Sequence, residues 1–474
     1  MANFIDADFS QMMLLPPSIE DWVPPKHPAR FIRTFVDVLD SKGELKFSWC
    51  QGEEGRPAYA PQLLLRVWLY GYYCGIRSSR GLERACKEQL PFIWLCGRHE
   101  PDHNTLWRFF TRNKKALRSL FGKTLHVALK SEFIGFVLHA LDGTRIQTQS
   151  ATRSGIHVDV LAARIVKLEE RIAELESEIE RAGAGGADVP VELPQALQTA
   201  QQARETVKQA LEELEEKGVK HLQPREPEAK ILQVKDRGKK VFGFNGQAVA
   251  DEQSGMIVAQ DVVTDENDLD QLVPMLTQAR ENLGAAAELT VADKGYAKGP
   301  SLQEAKDRGL KAAVILPEHI AARPDDPYHS SQFVYDHEHN TVTCPEGQQL
   351  SYWKQRGTKN GYTVQVFRCL CNDCPVRDAC TKNKAGREIE IAPHHQALTE
   401  QRQHQTNEQS RAAMRKRKHI IEPVFAHIKE HMHFRRWTLR GLQGVRTQWS
   451  MICTAYNLRK LYALWAVGTL QWSH

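Results

Sequence analysis

Three acids stand out because each is a carboxylate set in apolar sequence. Asp142 lies in Phe-Val-Leu-His-Ala-Leu-Asp-Gly-Thr-Arg-Ile-Gln (136–147), Asp293 in Leu-Thr-Val-Ala-Asp-Lys-Gly-Tyr (289–296) and Glu422 in Ile-Ile-Glu-Pro-Val-Phe-Ala-His-Ile-Lys (420–429). A carboxylate among apolar neighbours needs a partner or a metal. Three hard oxygen donors converging from two strands and a helix suit one or two Mg²⁺ ions, with Mn²⁺ able to substitute. They give phosphodiester chemistry, in which one ion activates the attacking oxygen and the other stabilises the leaving one. Taken singly, an Asp flanked by Gly and Thr is more often a turn or a cap. Lys429 follows Glu422 by seven positions, two helical turns, so a helix there puts both on one face. Pro423 lacks a backbone donor and restricts the residue before it, so Glu422 is expected to begin or kink its helix.

The cysteines form a second constellation. Cys344, then the pair Cys371-Asn-Asp-Cys374, then Cys380 give a CxxC with two further thiols at zinc-ribbon distances. A structural Zn²⁺ held by Cys344, Cys371, Cys374 and Cys380 is expected, since clustered exposed thiols oxidise readily. Cys369 is an alternative to Cys371, and His337, His339, His394 and His395 offer nitrogen ligands. Cys50, Cys74, Cys86 and Cys96, scattered through hydrophobic sequence, read as reduced core thiols.

Basic residues concentrate toward the end of the chain. Residues 411–474 carry twelve Lys or Arg against Glu422 and Glu430, although the whole chain has a net charge of only +5. A solvated face is the ordinary reading, but the interleaved Phe425, Phe434, Trp437 and Trp449 favour a nucleic-acid surface.

These residues must be positioned by helices and strands. Residues 1–130 read as an all-α N-terminal domain. Within it, Asp102 offers an N-cap to a helix carrying Arg108 and Arg112, which either reads DNA or is the basic surface of a helical bundle. From 131 to 474 the order, once an insert is excised, is strand, strand, strand, helix, strand, helix, strand, an α/β domain with a mixed sheet. That insert, 160–220, has a heptad seam of Leu161, Ile165, Leu168, Ile172, Leu175 and Ile179. A weaker seam follows, Leu197, Ala200, Val207, Leu211 and Leu214, with Arg204 at a core position. The breaker-rich stretch 182–190 between them predicts an antiparallel coiled-coil hairpin, with an intermolecular coiled coil as the alternative. A second insert, 325–392, holds the cysteines.

The composition, 474 residues with 41% hydrophobic and 26% charged, excludes a disordered or fibrous chain. No apolar run approaches the roughly 18–20 residues of a membrane span, and the start lacks a signal-peptide layout, so a cytoplasmic location is expected.

The strings Leu141-Asp142-Gly143-Thr144, Phe242-Gly243-Phe244-Asn245-Gly246-Gln247, Ala292-Asp293-Lys294-Gly295-Tyr296 and Glu422-Pro423-Val424-Phe425-Ala426-His427-Ile428-Lys429 resemble those of bacterial insertion-sequence transposases of the DDE type. Arg440-Gly441-Leu442 and Ala455-Tyr456-Asn457-Leu458 also fit, as do Tyr59-Ala-Pro-Gln-Leu-Leu-Leu and Asp102-His-Asn-Thr-Leu-Trp-Arg-Phe near the start. The resemblance implies a ribonuclease-H-like catalytic core with Asp142, Asp293 and Glu422 as the metal-binding triad. It further implies hydrolysis at the element's terminal inverted repeats, then attack of the freed 3′-hydroxyls on target DNA by a homo-oligomer on paired ends, in the bacterial nucleoid. Around Glu422 the sequence departs from the family: Arg415 occupies the place of a Tyr and Lys418 that of an Arg, while Lys429 fits. Arg108, Arg112, Arg415, Arg417, Lys418 and Lys429 are the expected DNA contacts. Two rival readings are an inactive or domesticated DNA binder and a metal-dependent nuclease without strand transfer. The acids argue against the first, because a pure binder gains nothing from carboxylates beside phosphates.

Overall fold

The computed structural model describes residues 18–48, 57–150, 155–184, 192–216, 218, 221–223, 225–233, 240–318, 320–358 and 361–471. It divides into two compact units. The first comprises residues through Phe133 together with Glu430–His433 and everything from Ser450 on; the second is Ile134–Lys429 with Phe434–Trp449.

The first unit holds helices α1 (Pro28–Ser41), α2 (Pro61–Cys74), α3 (Ser79–Glu88), α4 (Leu90–Leu95), α5 (His103–Arg112) and α6 (Lys114–Lys130). Pro opens α1 and α2 at the first turn, where its missing N–H costs nothing. Asp102 caps α5, its Oδ1 accepting from the Asn104 and Thr105 amides at 2.8 and 2.9 Å. Phe31, Phe35, Trp68, Tyr72, Phe92 and Phe110 fill the core, each side chain contributing about 1.5–3 kcal/mol by leaving water. Cys86 and Cys96 are buried here with their sulfurs 3.4 Å apart, whereas Cys74 is exposed and is no core thiol; Cys50 lies outside the described residues. Residues 450–471, expected in the catalytic part, join this unit instead. The physical reason is that its side chains find their partners there: Asn457 Nδ2 donates to Thr124 Oγ1 at 3.3 Å, the Tyr462 hydroxyl donates to the Lys26 carbonyl at 3.0 Å, and Phe31 packs on the Tyr462 and Trp465 rings.

The second unit is built on a mixed sheet. Strands β1 (Leu138–Gln147), β4 (Lys230–Gln233), β5 (Lys240–Asp251), β6 (Ile257–Val263), β7 (Leu289–Ala292) and β8 (Ala312–Val314) form it, with α9 (Leu272–Leu283) before β7 and α10 (Gly299–Asp307) before β8. Spatially the order is β6-β5-β1-β7-β8, with β4 sharing the outer edge of β5. β1 is antiparallel to β5 and parallel to β7, and β7 is parallel to β8. This order is consistent with a ribonuclease-H-like core.

Between β1 and β4, a two-residue strand pair, β2 (Ile156–His157) with β3 (His221–Leu222), closes the base of two long helices, α7 (Val158–Ala184) and α8 (Glu192–Glu216). Leu161, at the start of α7, shares a core with Val207 and Leu214 near the end of α8, and Ile165, Leu168 and Leu211 pack against it. The segment 325–392 holds a five-stranded antiparallel sheet in consecutive order: β9 (Val334–Asp336), β10 (Thr341–Thr343), β11 (Gln349–Gly357), β12 (Thr363–Cys369) and β13 (Arg387–Ile391), with the short α11 (Arg377–Cys380) before the last strand. Its core is Phe333, Val342, Leu350, Phe367, Ile389 and Ile391.

After it come α12 (His395–Thr406), α13 (Glu408–Ala426) and α14 (Leu442–Ala466). Asn407 caps α13, accepting from the Ser410 amide at 3.1 Å. α13 packs on β1, β5, β7 and β8. Pro423 lies inside this helix, so Glu422 does not begin it; a π-helical turn, His427–His431, follows. Phe425, Phe434, Trp437 and Trp449 are buried core residues rather than a nucleic-acid surface. The Trp437 and Trp449 indoles donate to the carbonyls of Ile146 and Gln247, both at 3.0 Å, so their polar atoms are satisfied inside. Among the described residues no helix is long and apolar enough to cross a membrane.

Candidate active site

β1 and β7 run parallel with Leu141 opposite Ala292, so the next residue on each, Asp142 and Asp293, occupies a neighbouring position. Asp293 follows the carboxyl end of β7, where open sheets place their sites, and Asp142 lies mid-strand in β1 beside it. Asp293 caps the short 3₁₀ turn Lys294–Tyr296, its Oδ1 accepting from the Gly295 amide at 2.8 Å. Asp142 Oδ1 accepts from the Gly143 amide at 2.8 Å, and its Oδ2 accepts from Arg417 Nη1, also at 2.8 Å. This ion pair is inside the protein, the two side chains being 14% and 8% exposed. Burial pushes the Asp142 carboxyl above the usual range, Arg417 opposes that, and the charge of Asp293 adds to it.

A polar network lies beside the two aspartates. The buried Tyr296 hydroxyl donates to Gln247 Oε1. Gln247 Nε2 and Asn245 Nδ2, both from β5, donate to Asp268 Oδ1 at 2.6 Å each. Burial, then the charges of Asp268, Asp142 and Asp293, hold the Tyr296 phenol well above its ordinary value, so it stays a donor. Asp268 was not singled out from the sequence. It sits in Asp-Glu-Asn-Asp-Leu-Asp (265–270), ahead of α9, which begins at Leu272. Its neighbours are engaged elsewhere, Asp265 by Gln271 and Asp270 by Lys298. Asn245, Gln247 and Tyr296 lie in strings that the family resemblance had marked, which was the signal pointing toward the network.

The other expected site residues are distributed differently. Arg417, expected on DNA, is 7% exposed and serves Asp142. Glu422 is exposed. It stands five residues beyond Arg417, about 140° around the helix, because α13 turns Arg417, Ile420, Ile421, Val424 and Phe425 inward. The structure therefore brings Asp142 and Asp293 together on β1 and β7, and places Glu422 on the exposed side of α13. Lys429 is half-buried in the π-helical turn rather than on an α-helical face shared with Glu422. Arg415 pairs with Glu408 at 2.7 Å, Lys418 is exposed, and Arg108 and Arg112 are exposed on α5 in the first unit.

Cys344, Cys371, Cys374 and Cys380 line one small cavity of about 20 Å³ with Tyr328, Phe333, Leu350 and Arg387. Cys369 packs against the same core from the end of β12.

Residues 343–462 match a family model described as a transposase DDE domain, and residues 17–112 match one described as a transposase domain (DUF772). The two matches indicate an insertion-sequence transposase of the DDE type. No curated protein matches the chain. The first match spans Glu422 and the cysteines; Asp142 and Asp293 lie outside both. DDE transposases generally work with divalent metal ions. Asp142 and Asp293 fit such an ion in donor type and charge, since hard cations take carboxylate oxygens. Among the described residues no three His, Cys, Asp or Glu side chains are arranged to hold a metal ion, which applies to the cysteines expected to bind zinc as well as to the acids.

Proposed function

We propose that the chain is a DNA transposase that binds the terminal inverted repeats of its own insertion sequence, cleaves the element ends and joins the freed 3′-hydroxyls to target DNA. The observation that carries this reading is the adjacency of Asp142 and Asp293 on parallel strands of the mixed sheet. Asp142 and Asp293 would hold Mg²⁺, or Mn²⁺ in its place, with Glu422 as the third acid. When bound, the ion lowers the energy of the charge that develops on the attacking and leaving oxygens of a phosphodiester.

The chain's own groups do the rest. Arg417 opposes the upward push that burial gives the Asp142 carboxyl and orients it inside the protein. Gly143 and Gly295 donate to Asp142 and Asp293 and fix the carboxylate rotamers. Exposed cations, among them Arg108, Arg112 and Lys418, would meet phosphates, and a homo-oligomer on paired ends within the nucleoid would hold the DNA. The spacing of Cys344, the pair Cys371/Cys374 and Cys380 supports the reading that these four thiols would hold a structural Zn²⁺.

The test is end cleavage by Asp142→Asn, Asp293→Asn and Glu422→Gln in Mg²⁺. Each keeps shape and removes one charge, so each should lower cleavage by about three orders of magnitude or more while leaving binding of end DNA intact. A variant that cleaves like wild type removes that acid from the site.

A further inference from the structure

The acids of the site are unequally compensated. Asp142 has Arg417 against one oxygen, whereas among the described residues no cation pairs with Asp293 or Asp268. Those two carboxylates stand together: a side chain on Gly295 would begin 2.9 Å from an Asp293 oxygen and 3.4 Å from Asp268 Oδ2. Adjacent like charges raise one another's energy unless a cation lies beside them. Asp268 is also held rather than free to swing. Its Oδ1 takes both the Asn245 and Gln247 amides, and Gln247 is fixed in turn by Tyr296. With that oxygen occupied, Oδ2 is the one presented toward Asp293.

An independent observation lies beside Asp268. Asn245 is 1% exposed, its Nδ2 is committed to Asp268, and its Oδ1 has no hydrogen-bond partner. Leaving a buried carbonyl unpaired costs about 1–3 kcal/mol, so such an oxygen marks a place where a donor or a cation is missing. It faces Gly143, the residue after Asp142. A side chain there would begin 2.6 Å from Gln247 Nε2, 2.7 Å from Asp268 Oδ1 and 2.9 Å from Asn245 Oδ1, so only glycine fits beside this oxygen.

We propose that Asp268 is a further acid of the cation site, joining Asp293 in holding a divalent ion, with the unpartnered Asn245 carbonyl beside Asp268 as a neutral oxygen donor. The inference rests on the proposed function in that it takes Asp293 as a metal-holding residue. Asp268→Asn isolates the charge, because an asparagine oxygen still accepts both amides. Mn²⁺ bound to the full chain without DNA, measured by the loss of the free-ion paramagnetic resonance signal, should weaken by about tenfold or more in Asp268→Asn. Half-maximal cleavage should need correspondingly more Mg²⁺, and the melting temperature should stay at the wild-type value. Mn²⁺ affinity in Asp268→Asn equal to wild type overturns the inference. Asp293→Asn, assayed in parallel, separates the two levels of failure. If it weakens Mn²⁺ and Asp268→Asn does not, only the role of Asp268 falls; if neither weakens it, the metal site of the proposed function falls too.

Discussion

At Asp142 a buried carboxylate is matched by a buried guanidinium, and the match decides what a substitution there does. Truncating Asp142 leaves Arg417 charged and unpaired inside the protein, a situation that costs about 3–5 kcal/mol. Asp293 has no such partner; its Oδ1 accepts only from the Gly295 amide among the contacts described. Asp142→Ala should therefore lower the melting temperature clearly more than Asp293→Ala, although both abolish cleavage. Equal melting temperatures in thermal denaturation would show that the ion pair contributes nothing to stability. The same pairing explains why Arg417 could not be read correctly from sequence. In Arg415-Lys416-Arg417-Lys418 all four residues look like phosphate contacts, and only the burial of one helical face separates Arg417 from its neighbours.

The elements were legible to different degrees, for reasons that lie in their burial. The first three strands of the expected order are found as β1, around Asp142, β5 and β6. They show because near-complete burial gives continuous apolar runs. The heptad seam was equally plain, and the Leu161, Val207 and Leu214 core follows it. The five-stranded antiparallel sheet was not foreseen. Its strands are short, and along β11 only Leu350 is buried, so no period-two alternation is written there. Glu422 was read with Lys429 on one face because a continuous α-helix was assumed, and the π-helical turn breaks that period. The same small sheet carries the cysteine prediction. About one Zn²⁺ per chain should be found by elemental analysis and should be lost in either Cys374→Ser or Cys380→Ser, since three thiolates hold the ion far more weakly than four. The sheet itself, with six core side chains of its own, should keep its secondary structure in both variants. Purified protein without zinc would refute the assignment.

Across the whole molecule, a charge count overstates the free positive surface. Of the twelve basic residues in 411–474, Arg415 pairs with Glu408, Lys416 with Glu252, Arg417 with Asp142 and Arg446 with Asp261, while Arg436 is spent on the Thr148 and Gln149 carbonyls. On α5, by contrast, Arg108 and Arg112 are exposed beside Trp107, itself 43% exposed, and among the described residues neither pairs with an acid. Each phosphate neutralised adds about 0.9 to the salt dependence of binding, so Arg108→Gln with Arg112→Gln should flatten the slope of log affinity against log salt by nearly two. Arg415→Gln with Lys416→Gln should change it less, and the reverse order would move the main phosphate contacts to α13. The central claim concerns chemistry rather than affinity, and a nuclease would share the cleavage step. Joining separates them. The most direct measurement supplies precut element ends bearing 3′-hydroxyls, a supercoiled target plasmid and Mg²⁺, and scores covalent end-to-target products. Wild type should form them, Asp142→Asn and Asp293→Asn should not, and wild-type protein that cleaves intact ends yet never joins precut ones would contradict the account.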